Sequence, residues 1–142
     1  MAAFPFHRPH KLSLGHLERE VLEWVWRLGA PSVKEIYEQL LADPERELAY
    51  SSLTTVLRRL EKKGWLAVEK QGRSLVWRAL ISAQETQALE AYQQLHRFLA
   101  VGNEAAVATF ASEMDAASVD KLAAIAQQLQ ALRAAQAREE KS

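Results

Sequence analysis

The chain contains no cysteine, so disulfide bonds, thiolate zinc sites and cysteine nucleophiles are all excluded. It also lacks any run approaching the roughly 18 apolar residues of a membrane span. Residues 1–11 carry basic side chains but no apolar signal-peptide segment, so the expectation is a soluble, cytoplasmic protein without membrane insertion. Surplus charge is missing too, because 18 Lys plus Arg balance 18 Asp plus Glu. Taken alone, that neutrality counts against a nucleic-acid binder, whose phosphate-facing surface needs excess Lys and Arg.

The average hides an asymmetry. Residues 1–82 hold 13 basic against 10 acidic side chains, whereas residues 83–142 hold 5 against 8, giving about +3 and −3. Hydrophobic content of 49% and charged content of 25% are ordinary for one or two small domains. If the chain divides, each part lies near the lower limit of independent stability and leans on a partner.

Residues 1–12 contain Pro5 and Pro9 and show no period, which predicts a flexible arm. Leu14, Leu17, Val21, Val25 and Leu28 then follow helical spacing, with Gly15 as N-cap and Gly29 ending the helix in a left-handed turn. Trp24 flanks that stripe, and Trp26 falls off it, so Trp26 is expected to cover another element. Ser32 and Glu35 form a capping box that opens a second helix, with Val33, Ile36, Tyr37, Leu40 and Leu41 inward and Asp43-Pro44 at its end. Leu53, Val56, Leu57 and Leu60 make the stripe of a third helix, closed by Lys62, Lys63 and Gly64.

The period then changes. Residues 66–69 and 74–78 are rich in β-branched and aromatic side chains and flank Lys70-Gln71-Gly72-Arg73, which reads as a β-hairpin with that tetrapeptide at its tip. Beyond it, Ser82 caps a helix carrying Leu89, Tyr92, Leu95 and Leu99, Gly102-Asn103 interrupts, a shorter segment runs to Met114, and Ser118 starts a last helix. The predicted fold is mainly α with one small hairpin: a winged helix-turn-helix over residues 13–81, followed by a helical dimerisation region over 82–142.

Three helices and a hairpin in this order place the third helix in the DNA major groove and the hairpin on the flanking backbone. With the apolar stripe inward, Ser51, Thr55, Arg58 and Lys62 face outward, with Ser52, Thr54 and Arg59 beside them. All are hydrogen-bond donors, and Glu61 lies between the core and this face. With Lys70 and Arg73 of the hairpin, these residues form the expected DNA-binding set.

These residues resemble the penicillinase-repressor (BlaI/MecI/CopY) family. The likeness runs through Leu14, Glu18, Val21, Val25-Trp26, Gly29, Ser32-Val33 and Glu35-Ile36, then through residues 50–60, Lys63-Gly64, Leu66 and Gly72-Arg73. The resemblance implies a dimeric repressor that holds an inverted-repeat operator until a signal removes it, in some members through a membrane sensor-protease. Copper-responsive members use a C-terminal cysteine cluster, absent here. Members released by proteolysis are cut at an Asn-Phe pair, where this chain has Thr109-Phe110.

Val119, Leu122, Ile125, Leu129 and Leu132 recur at heptad-like spacing, and with Leu95 and Leu99 they form the expected dimer interface. His7, His10, His16 and His96 lack neighbouring ligands and suggest no metal site. Glu18 with Glu20, and Glu45 with Glu47, have no nucleophile or phosphate cradle nearby, so no catalytic residue and no cofactor is expected. Two other classes remain open: a MarR- or PadR-like ligand-responsive regulator, which needs an apolar cleft, and a winged-helix protein-interaction module, which needs an acidic or apolar third-helix face.

Overall fold

A computed structural model describes residues 7–141. The chain forms α1 (His16–Leu28), α2 (Val33–Leu40), α3 (Tyr50–Lys63), β1 (Leu66–Gln71), β2 (Ser74–Ala79), α4 (Ala83–Val101), α5 (Glu104–Glu113) and α6 (Ala116–Glu140). It is mainly helical with one antiparallel hairpin, the element order of a winged helix.

Short-range hydrogen bonds set the helix ends. The Glu18 carboxylate accepts from the Gly15 amide at 3.0 Å and opens α1. Ser32 and Glu35 bond each other's backbone amides at the start of α2, and Ser82 with Glu85 repeats the box at α4. Gly29 ends α1 at φ 90° and ψ −76°, a positive-φ stop outside the left-handed helical region expected of it. Gly64 ends α3 in that region, at φ 90° and ψ 20°. The last helix starts earlier than Ser118, because Asp115 is its N-cap and accepts the Ser118 amide at 2.7 Å.

The hairpin runs in register from Leu66 opposite Ala79 to Gln71 opposite Ser74. Its strands are longer than expected, so the loop shrinks to Gly72-Arg73. Gly72 has φ 64° and Arg73 a negative φ, the sign pattern of a type II′ turn, whose twist suits a right-handed hairpin.

The chain divides into two compact units, one ending at Gln94 and the other beginning at Leu95. In the first, one cluster gathers Val21, Leu22 and Val25 of α1, Ile36 and Leu40 of α2, the α3 stripe, Trp65, Leu66, Trp77, Ile81 and Leu89. Leu28 and Leu41, expected inward, are exposed: each sits where its helix ends. Thr86 and Leu89 are buried, which carries the first unit past residue 82 into α4. Trp26 donates its indole N–H to the Ile81 carbonyl at 2.9 Å, covering the segment ahead of α4 as its off-stripe position suggested. The exposed Arg19–Glu90 ion pair joins α1 to the same part of α4.

Residues 7–12 do not form the free arm expected. The amides of His10 and Lys11 donate to the Lys63 carbonyl at 2.7 and 3.3 Å, and the Trp65 indole donates to the Lys11 carbonyl at 2.9 Å. Residues 1–6 lie outside the described residues.

In the second unit, no described side chain of α5 or α6 is buried. The aromatic pair Phe98 and Phe110 meets edge to face, with ring centroids 5.0 Å apart.

Glu18 is the charged group on which the first unit's packing turns. Lys63 Nζ lies 2.9 Å from its Oε1 and 2.8 Å from its Oε2, and also donates to the Ser13 carbonyl. Burial pushes the Glu18 carboxyl up, but the Lys63 and Gly15 hydrogen bonds, with the charges of Lys63 and Arg59, outweigh it and hold the carboxyl below its usual value. A depressed carboxyl stabilises the fold above its ordinary value near 4.5 and loses that contribution as pH falls through its folded value. Glu18→Gln is therefore expected to cost about 1–3 kcal/mol at pH 7. In urea titrations, the gap to the parent should narrow as pH drops below 4.5; a gap independent of pH would remove the ionised pair from this account.

Candidate nucleic-acid interface

The buried stripe of α3, Leu53, Val56, Leu57 and Leu60, fixes the helix's rotation. Ser51, Ser52, Thr55, Arg58, Arg59 and Lys62 are consequently exposed, and Thr54 is half-buried. The face is less uniformly donating than the sequence suggests. Thr54 Oγ1 already donates to the Tyr50 carbonyl at 3.2 Å, and Thr55 Oγ1 to the Ser51 carbonyl at 3.0 Å. Both hydroxyl oxygens keep acceptor capacity, while their protons are spent within the helix.

Arg58 is held from two sides. Its guanidinium lies 3.3 Å from Glu61 Oε1, which brings the carboxylate expected between core and face into contact with the face. It also stacks over the Trp77 ring, 5.3 Å from the centroid. Trp77 is itself buried, so a strand of the hairpin supports one of the exposed cations of the helix.

The start of α3 differs from the other helix starts. The N-cap Ala49 supplies no side-chain hydrogen bond, and the first turn carries no acid. By contrast, α1, α2, α4, α5 and α6 begin with Glu18, Ser32 with Glu35, Ser82 with Glu85, Asn103 and Asp115 respectively. The start of α3 thus has no side-chain cap at Ala49 and no acid in its first turn, an arrangement that can accept an anion. Tyr50, the first residue of α3, is 50% exposed and sits edge to face on Tyr37, whose hydroxyl donates to the Leu48 carbonyl. Tyr50 thus stands exposed at the head of the donor-rich helix, outside the set expected from the sequence.

The loop before α3 is fastened by Arg46, which makes two bonds to the Glu20 carboxylate at 2.6 and 2.7 Å. Glu18 and Glu20, weighed in sequence as a carboxylate pair, thus serve separate ion pairs. On the hairpin, Arg73 occupies the turn, but Lys70 pairs with Leu75 within the ladder and lies behind the tip expected for it. Both remain exposed. Among the described residues, no cluster of His, Asp or Glu could hold a metal ion, and no helix is long and apolar enough to cross a membrane.

In the second unit, Leu95, Leu99, Val119, Leu122, Ile125, Leu129 and Leu132 are each 43–65% exposed. Thr109 and Phe110 lie inside α5, the Thr109 hydroxyl bonded to the Ala105 carbonyl.

A family model described as penicillinase repressor matches residues 14–131, most of the chain. The chain belongs to the penicillinase repressor family. Part of it is 45% identical over 51 residues to the transcriptional regulator BlaI of Mycobacterium tuberculosis (strain ATCC 25618 / H37Rv), covering 35% of this chain and 36% of that protein. Over 73 residues it is 36% identical to an uncharacterized 16.5 kDa protein of Latilactobacillus sakei, covering 51% of this chain and 47% of the other. The chain therefore spans about half or less of the length of these curated relatives. Among solved structures, it is similar to hsRosR-S1 at a TM-score of 0.46 and 17% identity, covering 79% of this chain and 95% of that one. A MarR family protein from Bacillus stearothermophilus gives a TM-score of 0.42 at 16% identity, covering 82% and 76%. The family match begins at Leu14, so the segment docked on Lys63 and Trp65 precedes it.

Proposed function

We propose that this penicillinase-repressor family member is a cytoplasmic transcriptional repressor that binds double-stranded DNA as a homodimer. The observation that carries the reading is the exposed α3 face, with Ser51, Thr55, Arg58, Arg59 and Lys62 behind a helix start that has no acid and no side-chain cap. Placed in a major groove, the helix start meets phosphate, and the side chains along the face reach base edges. Lys70 and Arg73 add backbone contacts from the hairpin.

The second unit supports dimerisation. A single chain leaves Leu95 and Leu99 of α4 and five large apolar side chains of α6 exposed, and α5 and α6 bury none of their described residues. A second copy that covers this seam supplies the core the unit lacks. A two-fold dimer reads an inverted repeat, with its two α3 helices about 34 Å, or a multiple of that, apart.

Release follows from the same arrangement. Cutting the chain near Thr109-Phe110, as a sensor-protease partner would, separates α6 from the DNA-binding unit. Linkage raises avidity by about 10²–10⁴, so separated halves leave the operator with every DNA contact unchanged. Because Thr109 and Phe110 lie within a helix, that turn of α5 must open before a protease can seat the bond.

Footprinting on the host's own promoters tests the reading: paired protected half-sites are expected, and no protection at low salt would reject it. Arg58→Ala should lose about 1–3 kcal/mol of discrimination between operator and random DNA. Arg73→Ala should weaken binding to both alike. Equal losses on both sequences for Arg58→Ala would take that residue out of base reading. Leu122→Asp with Leu129→Asp should drive the protein to monomer in sedimentation and lower operator affinity with it; an unchanged dimer would place the interface elsewhere. In induced cells, fragments ending near Thr109 are expected by terminal sequencing. Release of full-length dimer by a purified small ligand or metal ion would overturn the proteolytic route and favour a MarR-like mechanism.

A further inference from the structure

Arg58, Arg59 and Lys62 are the exposed cations along α3, and the fold treats them differently. The Arg58 guanidinium lies 3.3 Å from Glu61 Oε1 and 5.3 Å from the centroid of the Trp77 ring. Among the described residues, neither Arg59 nor Lys62 makes an ion pair or lies over a ring. Glu61 stands three positions along the same helix, whereas Trp77 comes from β2, so two elements converge on one guanidinium. Half of the Arg58 side chain nevertheless remains exposed, so it is held without being covered.

Tryptophan carries a cost at position 77. The residue is 1% exposed, and its indole Nε1 is buried with no hydrogen-bond partner among the described residues. Trp26 and Trp65, by contrast, donate their indole N–H groups to carbonyls. A buried donor left unpaired lowers stability, and phenylalanine would fill an apolar core without one. What indole offers over a phenyl ring is a stronger face for a cation, and that face is where Arg58 lies. Glu61 adds a second constraint. A guanidinium has five N–H donors in a planar fork, so two can pair with a guanine edge while another stays on Glu61. A phosphate in place of the guanine would stand beside the Glu61 carboxylate, like charge against like. An arginine already fixed in orientation also loses less side-chain freedom on binding.

We infer that Glu61 and Trp77 are positioning residues for DNA specificity: together they hold the Arg58 guanidinium in one orientation, in which it takes a neutral base edge in preference to a phosphate. The inference rests on the reading of α3 as the DNA-binding helix and of Arg58 as a base reader. It assigns the discrimination to residues that need touch no base themselves.

The test uses the full chain, a random-sequence duplex of about 40 base pairs and a promoter fragment that the parent protects in footprinting, titrated between about 50 and 200 mM salt. Releasing Arg58 lets it take one more phosphate. Glu61→Gln should therefore raise affinity for the random duplex and steepen the dependence of log affinity on log salt by about 0.9. The ratio of promoter to random affinity should fall about fivefold, the lower end of what one bidentate base contact supplies. Trp77→Phe keeps a weaker ring face and should lower that ratio about twofold. In an Arg58→Ala background neither change should move the ratio or the slope further, because both act through that guanidinium. An unchanged ratio in either variant, where it melts with the parent, overturns the inference. Effects of the same size in the Arg58→Ala background do so too, since they assign the change to net charge or to the core. Glu61 stands outside the core, so Glu61→Gln tests the inference whatever the melting of Trp77→Phe. Failure of the parent to bind the random duplex at about 50 mM salt, or equal losses on both DNAs for Arg58→Ala alone, would instead reject the reading on which the inference rests.

Discussion

Leu53, Val56, Leu57 and Leu60 lie against the core of the first unit with at most 7% of their surface exposed. Burying an aliphatic side chain of this size stabilises by about 1.5–3 kcal/mol, so four on one helix leave α3 a single favourable rotation. The outward position of Arg58, Arg59 and Lys62 follows from that rotation. A one-residue turn of the helix, about 100°, that brought Arg58 to the position of Leu57 would carry Leu53, Val56 and Leu60 to the outward positions of Ser52, Thr55 and Arg59. The Arg46–Glu20 and Tyr37–Leu48 bonds hold the preceding loop to the same framework, and the Trp77 ring supports Arg58 from the hairpin. What α3 presents to solvent is set by what cannot face water.

The second unit is built on the opposite principle. Its helices α5 and α6 start on sound caps, Asn103 and Asp115, yet none of their described residues is buried, and Phe98 of α4 meets Phe110 edge to face. Local propensity alone sustains long helices only marginally. The described residues of α5 and α6 therefore draw little stability from a core of their own.

The legible features were those whose partners lie within one or two helical turns. The Ser32–Glu35 box, the α3 stripe and the Gly64 cap each involve residues three to seven positions apart, so spacing reveals them. Two misreadings and one omission have the converse cause. Residues 7–12 looked unstructured because their partners, Lys63, Gly64 and Trp65, lie more than fifty positions along the chain. Lys70 was assigned to the tip because composition marks a turn but not its register, and the ladder runs on to Gln71 and Ser74. The hold of Trp77 on Arg58 depends on how β2 lies beside α3, which neither segment's periodicity encodes. The family resemblance could not supply the first of these, since it begins at Leu14.

Formal neutrality of the whole chain counted against nucleic-acid binding, and the charge placement shows why that criterion fails here. Several first-unit acids are committed to structure: Glu18 to Lys63 and the Gly15 amide, Glu20 to Arg46, Glu35 to the Ser32 amide, and Glu69 to Arg78 across the hairpin. An acid bonded to its own fold cancels the charge of its partner at close range. It does little to the field of unmatched cations a Debye length away, about 8 Å at physiological salt. Lys62, Lys70 and Arg73 stand exposed on α3 and the hairpin, so the surface an approaching polyanion meets is more basic than the composition of the chain. Electrostatic recognition depends on which charges remain after the fold has taken its own share.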